Sequence, residues 1–296
     1  MQVVIGTRGS HLALVQAQTV QKILANAYPE NEFVLKIIKT KGDRIQNVAL
    51  DKIGDKGLFV REIEKELLAH SIHMAVHSMK DMPFELPDGL CFAEAWKRED
   101  ARDVLVLRTA DSLENLKKGA VIGTGSRRRA CQLKLLRPDL NIVNIRGNVD
   151  TRIAKMHMEE MDGIVLAAAG LKRLGREELV TQYLEPCQMI PAAAQGQLAI
   201  ELRKDNKDLL SKVSAFSDAD AESAAQTERL FLQKTGGGCH MPVGAYASIL
   251  LDKRIKLLAF YGNTDGTKSA RCMVTGDTPE DVAAQAAAEC MAQAKN

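Results

Sequence analysis

A lysine and an aspartate stand side by side at Lys80-Asp81, inside the stretch His77-Ser78-Met79-Lys80-Asp81-Met82-Pro83. The apolar run Ile72-His73-Met74-Ala75-Val76 before them has the length and bias of a buried strand, and Pro83 stops it from continuing. Open α/β sheets bind ligands at the carboxyl ends of their strands, where this pair would lie. Alone, Lys80 and Asp81 are an ordinary polar turn. The rest of the chain changes their meaning.

Arginines and small hydroxyl residues recur just after apolar, strand-like runs. Thr7-Arg8-Gly9-Ser10 follows Val3-Val4-Ile5, and Thr124-Gly125-Ser126-Arg127-Arg128-Arg129 follows Ala120 to Gly123. Arg146-Gly147-Asn148 follows Ile142 to Ile145, with Arg152 about one turn into the next helix, and Arg173 comes shortly after Ile164 to Ala169. Each is expected at a strand-to-helix corner, where free N–H groups and the helix dipole favour an anion. Arginine adds a planar fork that holds carboxylate or phosphate through two bonds. One such corner means little. Several, in two α/β domains, point to an interdomain site for a polyanion.

A second constellation is Gly236-Gly237-Gly238-Cys239-His240-Met241-Pro242-Val243-Gly244. A cysteine between a glycine run and a Pro-Val-Gly turn is expected on an exposed loop, free to act as a nucleophile. His240 is its neighbour, but adjacent side chains seldom point the same way, so it is no natural base for that thiol. Cys91, Cys131, Cys187, Cys272 and Cys290 read as inert core residues. The cysteines form no CxxC pairs, and His11, His70, His73, His77 and His157 have no metal-ligand spacing. No disulfide framework and no metal are expected.

These residues need elements to hold them. Val3-Val4-Ile5 reads as a strand; Ser10 can cap a helix with Leu12, Val15, Val20, Ile23 and Leu24 on its inner face. Phe33 to Ile38 is a strand and Leu58 to Leu68 a helix, with Phe59, Ile63 and Leu67 at i, i+4 spacing. Between them, Thr40 to Gly57 lacks periodicity and has the length of a lid or a disordered segment. After Trp96 a second α/β run begins, with strands expected at Val104 to Leu107, Ala120 to Ile122, Ile142 to Ile145 and Ile164 to Ala167. Gln197 to Leu202 is one more strand. From about Ala219 the pattern becomes a helix, three strands (Ala245 to Leu251, Lys256 to Tyr261, Ala270 to Val274) and a final helix from Pro279, a small α+β domain.

Composition narrows the partners. The 296 residues carry 40 Lys plus Arg against 38 Asp plus Glu, a net charge of +2, so there is no polybasic field for nucleic acid or membrane. Aromatics are 4% with a single tryptophan, which argues against base stacking. No apolar run is long enough to span a bilayer, and Met1 to Gly6 has no secretory pattern, so a cytoplasmic location is expected. No exposed apolar helical stripe stands out, and a monomer is expected.

Taken together, these motifs resemble one family, porphobilinogen deaminase, also called hydroxymethylbilane synthase, over essentially the whole chain. The resemblance runs through Ile5 to Ser10, Lys56-Gly57-Leu58-Phe59, His77 to Asp81, Ile122-Gly123-Thr124, Ile145 to Val149 with Arg152, Leu171 to Leu174, and Gly237-Gly238-Cys239 with Pro242-Val243. It implies an α/β fold of two periplasmic-binding-protein-like lobes with a cleft between them, plus a small α+β C-terminal domain. The domains would be 1–96 completed by 197–214, then 97–196, then 215–296. It implies a dipyrromethane cofactor held by a thioether to Cys239, and condensation of four porphobilinogens head to tail into hydroxymethylbilane with loss of ammonia at each step.

The resemblance also assigns roles. Loss of ammonia is pushed by the pyrrole nitrogen and leaves an azafulvenium cation, which a fixed carboxylate stabilises; Asp81 occupies that position. Acetate and propionate groups would be bound by Arg8, Arg128, Arg129, Arg146, Arg152 and Arg173, with Ser10, Ser78, Lys80, Thr124, Ser126 and Gln195 adding hydrogen bonds. Lys52 and Lys56 would lie on or near the lid loop, and Phe59 near the reacting rings. Two positions depart from the family's pattern. Arg127 stands where leucine is common, and Ala194 stands where the Pro-Ala-x-Gly-Gln-Gly segment has glycine, which argues against a left-handed backbone there. A non-catalytic two-lobed anion-binding protein is the alternative; it explains the arginine corners but not Cys239.

Overall fold

The computed structural model describes residues 1–44, 60–237, 241–263 and 268–295. The chain divides into two compact units, Met1–Arg98 with Gln197–Glu222, and Glu99–Gly196 with Ser223–Asn296.

The first unit runs β1 (Gln2–Thr7), α1 (His11–Ala27), β2 (Glu32–Ile37), α2 (Lys41–Arg44), α3 (Arg61–Leu68), β3 (Met74–Ser78) and β4 (Leu90–Phe92). The second continues with β5 (Asp103–Leu107), β6 (Val121–Gly123), α4 (Arg127–Leu136), β7 (Asn141–Val143), α5 (Val149–Met158), β8 (Gly163–Ala167), α6 (Ala168–Arg173) and β9 (Gln182–Leu184). The chain then returns to the first unit as β10 (Leu198–Arg203) and α7 (Lys207–Ser214). The last elements are α8 (Ala219–Lys234), β11 (Val243–Ile249), β12 (Ile255–Gly262), β13 (Ser269–Gly276) and α9 (Pro279–Lys295).

The first sheet has the order β2-β1-β3-β10-β4. β1 is parallel to β2 and β3, while β10 is antiparallel to β3 and β4. The second sheet, β7-β6-β8-β5-β9, repeats that arrangement: β6 is parallel to β7 and β8, and β5 is antiparallel to β8 and β9. No such repeat is visible in the residues themselves. In each sheet the chain leaves the strand next to centre (β1 or β6) toward one side and returns on the other. That reversal opens a crevice at the carboxyl ends of the parallel strands, where the corner motifs fall.

Apolar faces explain the rest. In α1 the buried line is Gln16, Ala17, Val20 and Leu24; Leu12 and Val15, expected on it, are only half-buried. That line packs with Val3, Ile5 and Phe33 against Met74, Val76, Ile200 and Leu202. Ile63 and Leu67 of α3 are fully buried on the other side with Ile72 and Ala75. The three-stranded meander β11-β12-β13 is covered by α9, whose contact face is Val282, Ala283, Ala286, Ala287 and Cys290.

Candidate functional site

Between β1 and α1 lies the corner Arg8-Gly9-Ser10. Ser10 caps the helix, its Oγ accepting from the Ala13 N–H at 3.4 Å, and the Thr7 hydroxyl donates to the Ala13 carbonyl at 3.1 Å. The first turn of α1 has no acidic residue, so no carboxylate of its own offsets the positive end of its dipole. At the next strand end a single 3₁₀ turn, Met79–Asp81, follows β3, and the Met79 N–H is bonded to the Gln197 carbonyl at 3.0 Å. Lys80 on that turn is half-buried and Asp81 is exposed. Arg8, Ser10, Gln16, His77, Ser78 and Asp81 line one pocket, and Gln16 fixes Ser78 with an Nε2 to Oγ bond of 2.8 Å.

Beneath that pocket lies a cluster that sequence reasoning missed. His77 Nε2 is 3.1 Å from Glu201 Oε2, and both side chains are buried. The other oxygen, Glu201 Oε1, is buried without a hydrogen-bond partner. Burial, then the Glu201 charge, push the Glu64 carboxyl above its ordinary value, while His77 and Arg61 pull it down. A signal existed: Glu201 is the lone acid within the apolar run Leu198 to Leu202.

In the second unit the corner after β6 begins at Thr124, buried, whose Oγ accepts from the Ser126 N–H at 3.2 Å. Ser126 caps α4 by accepting from the Arg129 N–H at 3.4 Å, and this helix too lacks an acidic first turn. Arg128 and Arg129 turn inward. Arg128 Nη1 meets Asp103 Oδ2 at 2.6 Å and the Ile190 carbonyl at 2.7 Å; Arg129 Nη2 meets Asp103 Oδ1 at 2.8 Å. Burial raises the Asp103 carboxyl, but the two guanidiniums outweigh it and hold it well below the usual carboxylate range. Gln195 is 1% exposed and donates its amide to the same Asp103 Oδ1 at 2.9 Å. Asp103 is the second residue missed, an acid at the head of the buried Val-Leu-Val-Leu strand.

After β7, Gly147 adopts φ +118, and a Cβ there would come within 2.6 Å of the Thr151 side chain. Asn148 caps α5, accepting from the Thr151 N–H at 2.8 Å. Arg152, in the first turn, donates Nε to the Gly147 carbonyl at 2.8 Å. Arg146 holds its Nη1 buried without a hydrogen-bond partner. Arg173 corrects the corner expectation: α6 begins directly at Ala168, which puts Arg173 in its last turn, with Nη2 donated to the Gly196 carbonyl at 2.7 Å. Arg127 is half-buried in the first turn of α4.

Two further expectations change. Ala194 does take a left-handed backbone, φ +57, despite its side chain. Glu228 holds it there, Oε2 accepting from the Ala194 N–H at 2.5 Å while Oε1 accepts from Ala247 at 2.7 Å. Cys187 is exposed rather than a core residue. Lys52, Lys56, Phe59, Cys239 and most of the expected lid, from residue 45 onward, lie outside the described residues.

Geometry of this kind defines a class first: an α/β protein whose strand ends carry arginines and helix starts, with Asp81 exposed at one of those ends. Comparison with known proteins narrows the class. Residues 3–211 match the model of the porphobilinogen deaminase, dipyromethane cofactor binding domain, and residues 223–293 that of the porphobilinogen deaminase, C-terminal domain. A porphobilinogen deaminase of Lachnospira eligens is 55% identical over 96% of this chain and 97% of that one. One from Clostridioides difficile is 52% identical over 94% and 92%. Among solved structures, the extracellular-binding protein of a probable amino-acid ABC transporter from Bacillus subtilis has a TM-score of 0.45 at 12% identity over 73% of this chain and 90% of that one, too distant to say anything of binding.

The chain belongs to the porphobilinogen deaminase family. It is an enzyme of tetrapyrrole synthesis that uses a dipyrromethane cofactor, and the non-catalytic alternative falls away. The residues fit such a polycarboxylate: the helix starts of α1 and α4 are free of acids, and Arg146 keeps a buried donor without a partner.

Proposed function

We propose that Asp81 is the carboxylate beside which four porphobilinogen units are joined head to tail into hydroxymethylbilane. One observation carries this reading: Asp81 is exposed at the end of β3 in the pocket that also holds Arg8 and Ser10. A carboxylate so placed stabilises the cation left when ammonia departs and accepts hydrogen bonds from pyrrole N–H groups. Arg8, Ser10, Ser78 and Lys80 hold the side-chain carboxylates of the incoming ring. Thr124, Ser126, Arg146 and Arg152 serve the cofactor, with Lys52, Lys56 and Phe59 contributing from the segment before α3. Arg128, Arg129 and Gln195 act through the strands they tie together with Asp103, and Arg173 through the carbonyl of Gly196. The dipyrromethane, attached by a thioether to Cys239, supplies the free pyrrole carbon to which the first unit is joined.

The same reading takes residues 1–96 with 197–214, 97–196 and 215–296 as three domains. Three separate sheets and the gap between the two family matches support it, although the second and third sheets lie in one compact unit. It takes the protein as a cytoplasmic monomer acting without metal, membrane or nucleic acid. Among the described residues no helix is long and apolar enough to cross a membrane. Asp81→Asn tests the central role. The variant should fold and carry its covalent cofactor while turnover falls by orders of magnitude. Near-normal turnover in a cofactor-loaded variant removes Asp81 from the role.

A further inference from the structure

Two cysteines that the reaction does not use meet in the C-terminal part of the chain. Cys272 lies on β13 and Cys290 on α9, and the Cys290 Sγ is 3.1 Å from the Cys272 Sγ. Their neighbours are small. Cys272 pairs with Ala259 across the sheet, its sulfur is 3.5 Å from the Ala286 carbonyl, and the Cys290 sulfur is 3.9 Å from the Ala259 carbonyl. No side chain stands between the two thiols. A disulfide holds its sulfurs at about 2.05 Å, so closure asks for roughly 1 Å of approach. Burial differs along the pair: Cys290 is fully buried, whereas Cys272 is half-buried.

We propose that Cys272 and Cys290 form a peroxide-reactive dithiol that closes to a disulfide and fastens α9 to β13. The Cys272 sulfur attacks one peroxide oxygen, breaking the O–O bond and giving a sulfenic acid and one water. The Cys290 sulfur then attacks the Cys272 sulfur, the S–O bond breaks, and the hydroxyl leaves with the Cys290 proton as a second water. Two thiols lose two electrons and two protons, and hydrogen peroxide is reduced to two waters. Burial of Cys290 directly behind Cys272 favours this second step over further oxidation of the sulfenic acid. The product closes a loop that contains the whole β13-to-α9 connection, so the oxidised form resists unfolding more than the reduced one.

The test uses the intact, cofactor-loaded protein, fully reduced and then exposed to dilute hydrogen peroxide. The chain should lose the mass of two hydrogen atoms, and a non-reducing peptide map should join the segments holding Cys272 and Cys290. The midpoint of thermal unfolding should rise by about 5–10 °C and return on treatment with dithiothreitol. Cys272→Ser should abolish both the mass loss and the rise. Cys187, which is exposed, is the internal control for unspecific oxidation. A map showing Cys272 as sulfinic acid with Cys290 still a free thiol overturns the proposal, as does oxidation confined to Cys187. A joined pair without any change in unfolding overturns the fastening role.

Discussion

Glu64 and Asp103 are both buried carboxylates, yet their surroundings drive them in opposite directions. Asp103 lies between Arg128 and Arg129, whose charges overcome its burial, so its folded pKa is below its ordinary 3.8. Its contribution to stability is therefore present above that value and is lost as pH falls toward the depressed one. Glu64 is raised above its ordinary 4.5 by burial and by Glu201. Its protonated form favours the fold below 4.5, and that contribution is lost as pH rises through the raised value. Asp103→Asn should cost about 3–5 kcal/mol near neutral pH, because two buried guanidiniums lose their counter-charge. Glu64→Gln should remove the fall in stability that sets in as pH rises above 4.5 and leave the limb below 3.8 unchanged. Denaturant unfolding from about pH 1.5 to about pH 8 covers both windows. An acid limb in Asp103→Asn identical to that of the unmodified protein would show that this pair does not govern it.

At the scale of elements, the strands that carry chemistry were legible because apolar runs bounded by glycine, proline and hydroxyl residues mark them clearly. β1, β3 and β8 each appear within a residue or two of the expected place. β4 and β9 were not legible: Leu90-Cys91-Phe92 and Gln182-Tyr183-Leu184 are too short to show a period, and both sit at sheet edges. The helix holding Arg173 was hidden for another reason. It starts at Ala168 with no side-chain cap, so no residue marks its first turn. The inward turn of Arg128 was invisible because its partner Asp103 is 25 positions away. Ala194 makes the same point about long-range control. A left-handed alanine costs about 1–2 kcal/mol, and a hydrogen bond to a charged acceptor returns about 1.5–3 kcal/mol. Glu228 is therefore what holds this turn. Glu228→Ala should cost about 3–5 kcal/mol, since two buried N–H groups lose their acceptor. Ala194→Gly should recover more stability in the Glu228→Ala background than alone. Equal effects in the two backgrounds would separate Glu228 from the backbone at Ala194.

In the proposed function, one anchoring thiol, Cys239, and one working carboxylate, Asp81, set the stoichiometry of the whole molecule. A product that stays attached through Cys239 while every bond forms beside Asp81 must leave a record on the protein's mass. Porphobilinogen supplied below one equivalent per site should give a ladder of covalent species, each heavier than the last by one deaminated unit. The ladder should end at four additions, and release of hydroxymethylbilane should restore the cofactor-only mass. On the proposed function, Arg152→Leu should distort that ladder at particular rungs rather than slow every step alike, because Arg152 stands at one helix start and would meet the growing chain at one length. Cys239→Ser should show neither the cofactor mass nor any rung, and should unfold at lower temperature, since a bound polyanion offsets repulsion among the arginines. Native mass spectrometry across a single turnover reads all of these. Free two- or three-ring products without protein-bound intermediates would exclude a tethered chain, and a cofactor mass that persists in Cys239→Ser would place the anchor on another residue.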